Sequence, residues 1–397
     1  MPSFWEMWET LSTIGCDVDG GTTRLAFSEA DVKGRQYILH CMEQVGLASF
    51  IDGIGNVVGR FGGPPYVVIG SHTDTVPQGG NYDGIIGVLA GIHIAATWPR
   101  SARHGLIVVD WSSEESSRFG ISTIGSRASL GELPSDAWLA HDSTAITLQA
   151  AAHAAFGYPD VAIWPVPTAD IKASVELHIE QGRELADAKY PVASVLGIAA
   201  PQRWSVALSG KPDHTGSAAM GNRQDALCGA AEVVLMVEQT SRQMEVSGLR
   251  STVSRVVTHP GVSNIVPHQV DLLIDVRAQS ESLLRGYETA LDEKLIQLHR
   301  ERGLTGSRQI ISAEGPSELS RDVVELIRQA IRSLGLPYRS MTSWPSHDSL
   351  VLSRHLPAGM IFVRNVSGVS HSPKEFCTRD DVDMGLQVLN TALRPFH

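Results

Sequence analysis

Residues Tyr66–Ala90, YVVIGSHTDTVPQGGNYDGIIGVLA, form an apolar run, a polar loop and a second apolar run. The first run is short and rich in Val and Ile, which is typical of a strand covered on both faces in a parallel sheet. The second run predicts a helix. The loop between them carries three side chains of the kind that bind metals: His72, Asp74 and Asp83. This stretch therefore predicts an α/β fold with a metal-binding loop at the end of a strand.

The spacing of these polar residues indicates how they could work together. His72 and Asp74 are separated by one residue, so an extended chain would point them the same way, and Asp74 could hold the His72 ring or bind beside it. Glu114 and Glu115 are adjacent after the apolar run Gly105–Trp111. Adjacent residues in a tight turn face different directions. One carboxylate could therefore bind metal while the other acts as a general base.

Two further histidines lie within or after other apolar runs. His178 lies in the run Ser174–Ile179, and His371 follows the run Gly359–Arg364. Open α/β sheets bind ligands at the carboxyl ends of their strands, so we expect these residues to meet at one edge. Imidazoles and carboxylates without cysteine suit zinc, manganese, cobalt or nickel better than calcium or magnesium. The number of ligands is enough for two divalent ions that share one carboxylate.

Composition restricts the class of protein. The chain has 397 residues, 43% hydrophobic residues and a formal net charge of −11, which argues against nucleic acid or an anionic membrane as partner. It shows no signal peptide and no apolar run of membrane-spanning length, so we expect a cytoplasmic protein. The four cysteines form no C-x-x-C pair. H-E-x-x-H, G-x-S-x-G and P-loop motifs, and a G-x-G-x-x-G after a strand, are also absent from the sequence.

The middle of the chain has a different pattern. Residues 202–314 alternate as strand, helix, strand, strand, helix and strand, which predicts a smaller ferredoxin-like α+β domain inserted into the catalytic domain. We therefore expect a catalytic domain formed by residues 1–201 and 315–397. An insertion of this kind usually forms a lid, an interface or both. Its loops contain three residues that could grip a substrate: His214, Asn264 and Arg277.

The beginning of the chain gives weaker signals. Residues 1–60 predict an irregular leading segment, then a helix near Ser28–Val45 and a short strand near Ala48–Ile51. Arg24 lies in a loop rich in Gly and Thr. We expect it either in a surface loop or at the edge of the substrate site.

Several motifs together resemble one family. GSHTDTVPQGGNYDG, EESSRFG with GSRAS, ELHIEQG, QRW, DHTGSAAM with NRQDAL, and SHSPKEF occur in the same order over nearly the whole chain. The chain resembles the amidase/hydantoinase/carbamoylase family, which includes N-carbamoyl-L-amino acid hydrolases, β-ureidopropionases and allantoate amidohydrolases. This family belongs to the dinuclear aminoacylase and carboxypeptidase superfamily. The resemblance implies a zinc-peptidase-like catalytic domain with a central mixed sheet, interrupted by a lid domain that forms a homodimer.

The resemblance also implies roles for individual residues. His72 and His178 would bind one ion, Glu115 and His371 the other, and Asp83 would bridge them while Asp74 orients His72. Glu114 would take a proton from a metal-activated water and return it to the leaving nitrogen. His214 would stabilise the oxyanion, often from the other subunit. Substrate would be bound by Asn264 and Arg277, with Gln181 nearby and His347 also at the site.

Two departures from the family leave the substrate open. Ala218-Ala219 replaces a usual threonine-proline pair, and Trp344-Pro345-Ser346 replaces a small Gly-Ala-Gly turn before His347. The first expectation is hydrolysis of a linear C–N bond in an N-carbamoyl amino acid or ureido acid, with allantoate as a close relative of that choice. Alternatives are a deacylase of N-acyl or aryl-amide amino acid conjugates, a hydrolytic deaminase of an aromatic amine, and a non-catalytic binding protein.

Overall fold

The computed structural model describes residues 2–397. The chain forms two compact units. The first contains the residues up to Leu196 together with Glu318–Ser343 and His347–His397, and the second contains Gly197–Ser317 together with Trp344–Ser346. Within residues 2–397, no helix has the length and apolar character needed to cross a membrane.

The elements are numbered along the chain. The strands are β1 (Ala48–Ile51), β2 (Val57–Phe61), β3 (Tyr66–His72), β4 (Gly105–Trp111), β5 (Ile171–Ile179), β6 (Val192–Ile198), β7 (Ala200–Ser209), β8 (Leu249–His259), β9 (Gln269–Ala278), β10 (Thr305–Ala313), β11 (Ser317–Glu318), β12 (Tyr338–Ser343) and β13 (Ala358–Val363). The α-helices are α1 (Phe4–Ser12), α2 (Glu29–Gln44), α3 (Ile85–Thr97), α4 (Ile124–Leu130), α5 (Leu148–Phe156), α6 (Glu184–Ala188), α7 (Ala226–Met244), α8 (Glu281–Arg302), α9 (Arg321–Ser333), α10 (Asp348–Leu352) and α11 (Arg379–Leu393).

The first unit is built on a mixed sheet. Its strand order is β1-β2-β4-β3-β5-β13-β6-β11, with β12 paired to β6. The central strands β4, β3, β5 and β13 are mutually parallel, and β4 is buried at every position, as its continuous apolar run predicts. Helices such as α3 and α11 supply buried apolar residues to the core around this sheet. The expected α/β architecture with a central mixed sheet is confirmed.

Parallel pairing brings the carboxyl ends of the central strands together. His72 at the end of β3 pairs with Trp111 at the end of β4. Ile179 at the end of β5 pairs with Val363 at the end of β13. The loops that follow these strands therefore start from one edge of the sheet, which is where an open α/β sheet binds its ligands.

The second unit has its own sheet and core. Its strands run in the order β10-β7-β9-β8, all antiparallel, and the chain order is strand, helix, strand, strand, helix, strand. This is the ferredoxin-like arrangement. Residues of β9 alternate between buried and partly buried, because the face that carries Leu272 and Ile274 packs in one core with residues of α7 and α8.

The prediction of an irregular leading segment is wrong, because Phe4–Ser12 forms helix α1. Ser3 caps this helix: its Oγ accepts from the Glu6 backbone N–H, and the Glu6 carboxylate accepts from the Ser3 N–H. The sequence S-F-W-E at residues 3–6 has the pattern of this reciprocal capping box. Leu11 is fully buried in the main core, so the helix is an integral part of the first unit.

Both expectations for Arg24 are also wrong. Its side chain is fully buried, not exposed or at a substrate edge. The guanidinium donates to the backbone carbonyls of Leu11, Ile14 and Thr73. Arg24 thus ties the end of α1 to the polar loop that follows β3, and its role is structural.

Candidate metal centre

Three side chains from two neighbouring strand ends and the loop after β3 form a first group of possible metal ligands. His72 ends β3, His178 lies near the end of β5, and Asp83 directly precedes the turn into α3. One nitrogen or oxygen from each lies within 4.8 Å of the others, and all three side chains are buried. His178 Nε2 is 3.1 Å from Asp83 Oδ1. The sheet edge therefore gathers two imidazoles and one carboxylate.

A second group shares Asp83 with the first. It consists of Asp83, Glu115 and His371, again with one ligand atom from each within 4.8 Å of the others. His371 Nε2 is 3.3 Å from Asp83 Oδ2 and 3.0 Å from Glu115 Oε1. The two Asp83 oxygens thus face different groups, which is the arrangement of a bridging carboxylate.

The ring orientations fit metal binding. His72 Nδ1 lies 3.0 Å from the Asp74 carbonyl oxygen, and His178 Nδ1 lies 3.0 Å from the Ile179 carbonyl oxygen. A carbonyl oxygen only accepts, so each Nδ1 carries hydrogen. In the neutral ring, Nε2 then presents its lone pair to the group, as backbone-oriented metal ligands do.

Two buried atoms of the described chain that lack a well-aligned hydrogen-bond partner also indicate a metal position. Among the described residues, neither His178 Nε2 nor Asp83 Oδ1 has a well-aligned hydrogen-bond partner, although both are buried. Burying two polar atoms in a poorly aligned contact is costly, and a cation held between them would satisfy both. With nitrogen and carboxylate donors and no cysteine, the residues present fit a divalent transition metal or zinc.

A third group is less suited to a metal. Glu176, His178 and His347 also offer ligand atoms within 4.8 Å of one another. However, Glu176 Oε1 accepts from Ser71 Oγ at 2.8 Å, and Oε2 accepts from Ser349 Oγ at 2.6 Å. Because these hydroxyl groups already satisfy the carboxylate, this group gives less support to a metal position than the two above.

Asp74 organises the turn that carries the carboxylate pair. Its Oδ1 accepts from the Glu114 N–H at 3.2 Å, and its Oδ2 accepts from the Glu115 N–H at 3.0 Å. Asp74 also contacts the His72 ring, as expected for an orienting residue, but through its backbone carbonyl, whereas its Oδ1 is 3.9 Å from the ring. The Asp74 side chain instead positions the two glutamates.

Arg35 of α2 lies behind this turn, and sequence reasoning missed it. Its guanidinium is fully buried and makes ion pairs of 2.9 Å with Asp31, 3.4 Å with Asp74 and 3.3 Å with Asp110. Removing one member of a buried charge network typically costs about 3–5 kcal/mol. Asp31 lies four residues earlier on the same helix, but Asp74 and Asp110 come from distant parts of the chain, so the sequence does not reveal that Arg35 is buried behind the turn.

Glu114 is buried beside the first group of possible metal ligands. Its Oε2 is 3.8 Å from His72 Nε2. Burial, reinforced by the negative charge of Glu115, raises the pKa of Glu114 well above its usual range. A carboxyl group with a raised pKa is suited to taking up a proton and returning it.

Two residues predicted to bind substrate lie in the first unit. Gln181 is close to the second group, and its Nε2 donates to Asp83 Oδ2 at 2.9 Å and lies 3.2 Å from His371 Nε2. His347 is buried, 2.8 Å from Ser343 Oγ, and its ring centroid is 4.4 Å from that of His178. His347 thus packs against a ring of the candidate metal centre.

The other predicted substrate residues lie in the second unit. His214 is exposed, and its Nδ1 accepts from the backbone N–H groups of Gly216 and Ser217. Asn264 is also exposed, and its backbone carbonyl accepts from the Thr215 N–H. Arg277 donates to Asp275 at 2.9 Å and to the Trp344 carbonyl at 3.0 Å.

Metal binding should depend on pH. Burial lowers the pKa of His178, but its interaction with Asp83 outweighs this and raises the pKa to about 9. Interactions with Asp83 and Glu115 raise the pKa of His371 to about 10. Below these values both rings carry an extra proton that a metal must displace, so apparent affinity should rise about tenfold per pH unit near neutrality. Calorimetric titration in buffers of different ionisation heat measures the protons released.

The exposed His153 provides a control for this pH dependence. It lies on α5, and its Nδ1 is 2.9 Å from the Tyr158 carbonyl. His153→Ala should leave the proton release unchanged. Metal binding without proton release at neutral pH would contradict the assignment of His178 and His371 as ligands.

Comparison with known proteins supports the relationship suggested by the motifs. The sequence model of the peptidase family M20/M25/M40 matches residues 68–394. An N-carbamoyl-L-amino acid amidohydrolase of Geobacillus stearothermophilus is 33% identical over 397 residues, spanning 97% of this chain and 96% of the relative. A ureidoglycolate hydrolase of Oryza sativa subsp. japonica is 34% identical over 385 residues, spanning 94% of this chain and 79% of the relative.

A solved structure agrees over almost the whole chain. The crystal structure of an amidase of the hydantoinase/carbamoylase family from Burkholderia multivorans matches with a TM-score of 0.88 and 29% identity, covering 98% of this chain and 96% of that chain. The chain therefore belongs to the peptidase family M20/M25/M40 and, within it, to the hydantoinase/carbamoylase amidases, which makes it a hydrolase of non-peptide C–N bonds.

Proposed function

We propose that this protein hydrolyses an N-carbamoyl amino acid or a related ureido acid at a centre of two divalent metal ions. The observation that carries this proposal is the position of Asp83, whose two oxygens face two different histidine-containing groups while Glu114 lies buried beside them. When bound, the ions would supply Lewis-acid activation of water and of the substrate carbonyl. Zinc, manganese, cobalt and nickel all fit the donor set.

In this proposal His72 and His178 would hold one ion, Glu115 and His371 would hold the other, and Asp83 would contribute one oxygen to each. Glu114 is the general base that removes a proton from the attacking water and then delivers it to the leaving nitrogen. The C–N bond between the ureido carbonyl and the amino acid breaks. The products are the free amino acid and carbamate, and carbamate decomposes to ammonia and carbon dioxide.

His214 is suited to stabilising the oxyanion that forms when water adds. Its Nδ1 accepts two backbone N–H groups, so the neutral ring must carry its hydrogen on Nε2. Nε2–H is then a donor with a fixed direction. Such pre-oriented donors are worth about 10²–10³-fold in turnover when they face the developing charge.

Asn264 and Arg277 are proposed to bind the carboxylate of the substrate, with Gln181 close to the metal centre. Arg277 is held by Asp275 and by the Trp344 carbonyl, so its guanidinium is oriented before substrate arrives. Arg250 lies 3.9 Å from the centroid of the Trp344 ring and fixes that side chain as well. Pre-oriented charged donors lose less entropy on binding than mobile ones.

The test is a substrate panel on metal-free protein reconstituted separately with each of the four metals. The panel contains N-carbamoyl amino acids, allantoate, N-acyl amino acids and aminobenzoates, and it scores amino acid, ammonia and carbon dioxide. Equal amounts of all three from an N-carbamoyl amino acid would support the proposal. Free acid without ammonia would indicate a deacylase, ammonia from the arylamine would indicate a deaminase, and either result without ureido cleavage would refute the proposal.

Replacement of the guanidinium should identify the carboxylate contact. Arg277→Ala should raise KM for N-carbamoyl amino acids by about 10- to 100-fold, the range expected when a charged hydrogen-bond donor worth about 1.5–3 kcal/mol is lost. Steady-state kinetics with the substrate and with its uncharged amide give the comparison. An equal effect on the amide would contradict the carboxylate contact. Arg308→Ala, at an arginine paired with Asp292 in the same unit, is the control.

A further inference from the structure

Glu375 joins two loops of the candidate metal centre. Its side chain is buried, only 5% exposed, and its Oε1 accepts from the backbone N–H groups of Tyr82 and Asp83 at 3.0 Å each. Its Oε2 accepts from Ser370 Oγ at 2.8 Å. One loop carries Asp83, and the other carries Ser370 and the adjacent His371. A single carboxylate therefore holds the backbone of one loop to a side chain of the other.

The two ligand groups differ in how firmly their residues are held. His72 and His178 belong to central strands of the sheet and are 2% and 1% exposed. The His371 side chain is 47% exposed and its backbone φ is 55°, in the left-handed region that non-glycine residues rarely adopt. Its position depends on contacts of its loop, whereas the two histidines of the first group are fixed by the sheet.

We infer that Glu375 is the positioning residue of the second group, and that the ion bound by Asp83, Glu115 and His371 depends on it more than the other ion does. Through Oε1, Glu375 fixes the backbone from which the Asp83 side chain extends. Through Oε2, it fixes Ser370 beside His371. This inference rests on the two-metal centre of the proposed function.

The loop sequence is adapted to this contact. A Cβ atom at Gly80 would lie 2.1 Å from Glu375 Oε1, so only glycine leaves room for the carboxylate to approach the backbone. On the other side, Trp8 Nε1 donates to the Asn81 carbonyl at 2.6 Å. The loop before Asp83 is thus held from α1 and from the His371 loop.

The experiment counts ions on purified protein. Wild-type protein and Glu375→Ala are loaded with manganese or zinc, passed through gel filtration and analysed by mass spectrometry for metal, and each affinity is then measured against a chromophoric chelator. We expect two ions on the wild type. Glu375→Ala should bind one ion nearly normally and the other about 10- to 100-fold more weakly, as for other partners that orient metal ligands.

Two further variants separate positioning from general stability. Asp52 is a matched control, because its buried carboxylate also accepts backbone N–H groups, from Ile54, Asn56 and Trp164. Asp52→Ala should lower the melting temperature to a similar degree but affect both ions equally. Glu375→Gln keeps the shape and one accepting oxygen, so it should restore much of the weaker ion's affinity and remains measurable if Glu375→Ala fails to fold.

The outcomes are distinct from those of the substrate test. Equal weakening of both ions, or no weakening in Glu375→Ala and Glu375→Gln, would overturn the inference. Fewer than two ions on the wild type would overturn it as well. Two ions with the expected asymmetry, but without cleavage of any ureido substrate, would support the role of Glu375 and refute the proposed function.

Discussion

Glu114→Gln should abolish turnover almost completely while the protein keeps its metal. The amide has nearly the shape of the carboxylate but cannot take a proton from water, and loss of a general base typically costs about 10²–10⁴-fold in rate. Glu114 belongs to none of the three-residue ligand groups, so the metal content should not change. The loss should appear in kcat, with KM for the substrate little altered.

The neighbouring residue supplies the control for this prediction. Glu115→Gln changes the same turn by the same chemistry, but Glu115 Oε1 lies 3.0 Å from His371 Nε2 in the second group. It should lose one ion as well as activity. Measuring metal content and kcat together therefore separates a base from a ligand, and near-normal turnover in Glu114→Gln would remove Glu114 from the base role.

Asp83→Ala should remove both ions. Because its two oxygens face His178 and His371, its loss deprives both groups of a ligand at once. Each ion that binds only the folded protein stabilises it by about 4 kcal/mol when its concentration is a thousand times Kd. The variant should therefore show a large fall in melting temperature under metal-saturating conditions, together with no retained metal after gel filtration.

His371→Ala is the informative comparison for Asp83→Ala. It removes a ligand of the second group only, so one ion should remain on the protein. Metal analysis of the two variants side by side tests the bridging assignment. Two ions retained by Asp83→Ala, or equal losses in both variants, would show that Asp83 does not connect the two positions.

That several site residues meet at one edge of the sheet could be predicted, because this follows from the local hydrophobic pattern and from the geometry of a parallel sheet. His72 and His178 were placed at strand ends from short apolar runs alone. Parallel strands put their carboxyl ends on one edge, and the structure brings both residues there with Asp83. The ferredoxin-like unit could be predicted for a similar reason, because the hydrophobic periodicity of residues 202–314 indicates the order of its strands and helices.

The supporting residues could not be predicted because their contacts join distant parts of the chain. Glu375 lies in the motif SHSPKEF, and Arg35 follows Asp31 by four residues, but only the tertiary fold reveals that they are buried against the Asp83 backbone and the Asp74 carboxylate. Arg24 was misjudged because Gly and Thr around it indicated a surface loop. Helix α1 is different, because the capping box at its start is present in the local sequence Ser3–Glu6 and predicts the helix.

The burial of Arg35 also shows which N-terminal residues a stable catalytic unit needs. The segment shared with the family model begins at residue 68, so α2 lies before it. A fragment cut at that boundary would leave Asp74 and Asp110 in the interior without the cation that neutralises them. Gene fusions, truncations and searches for remote relatives should therefore treat the first 67 residues as part of the catalytic unit. These residues include Arg35, which supports the turn that carries Glu114 and Glu115 through Asp74.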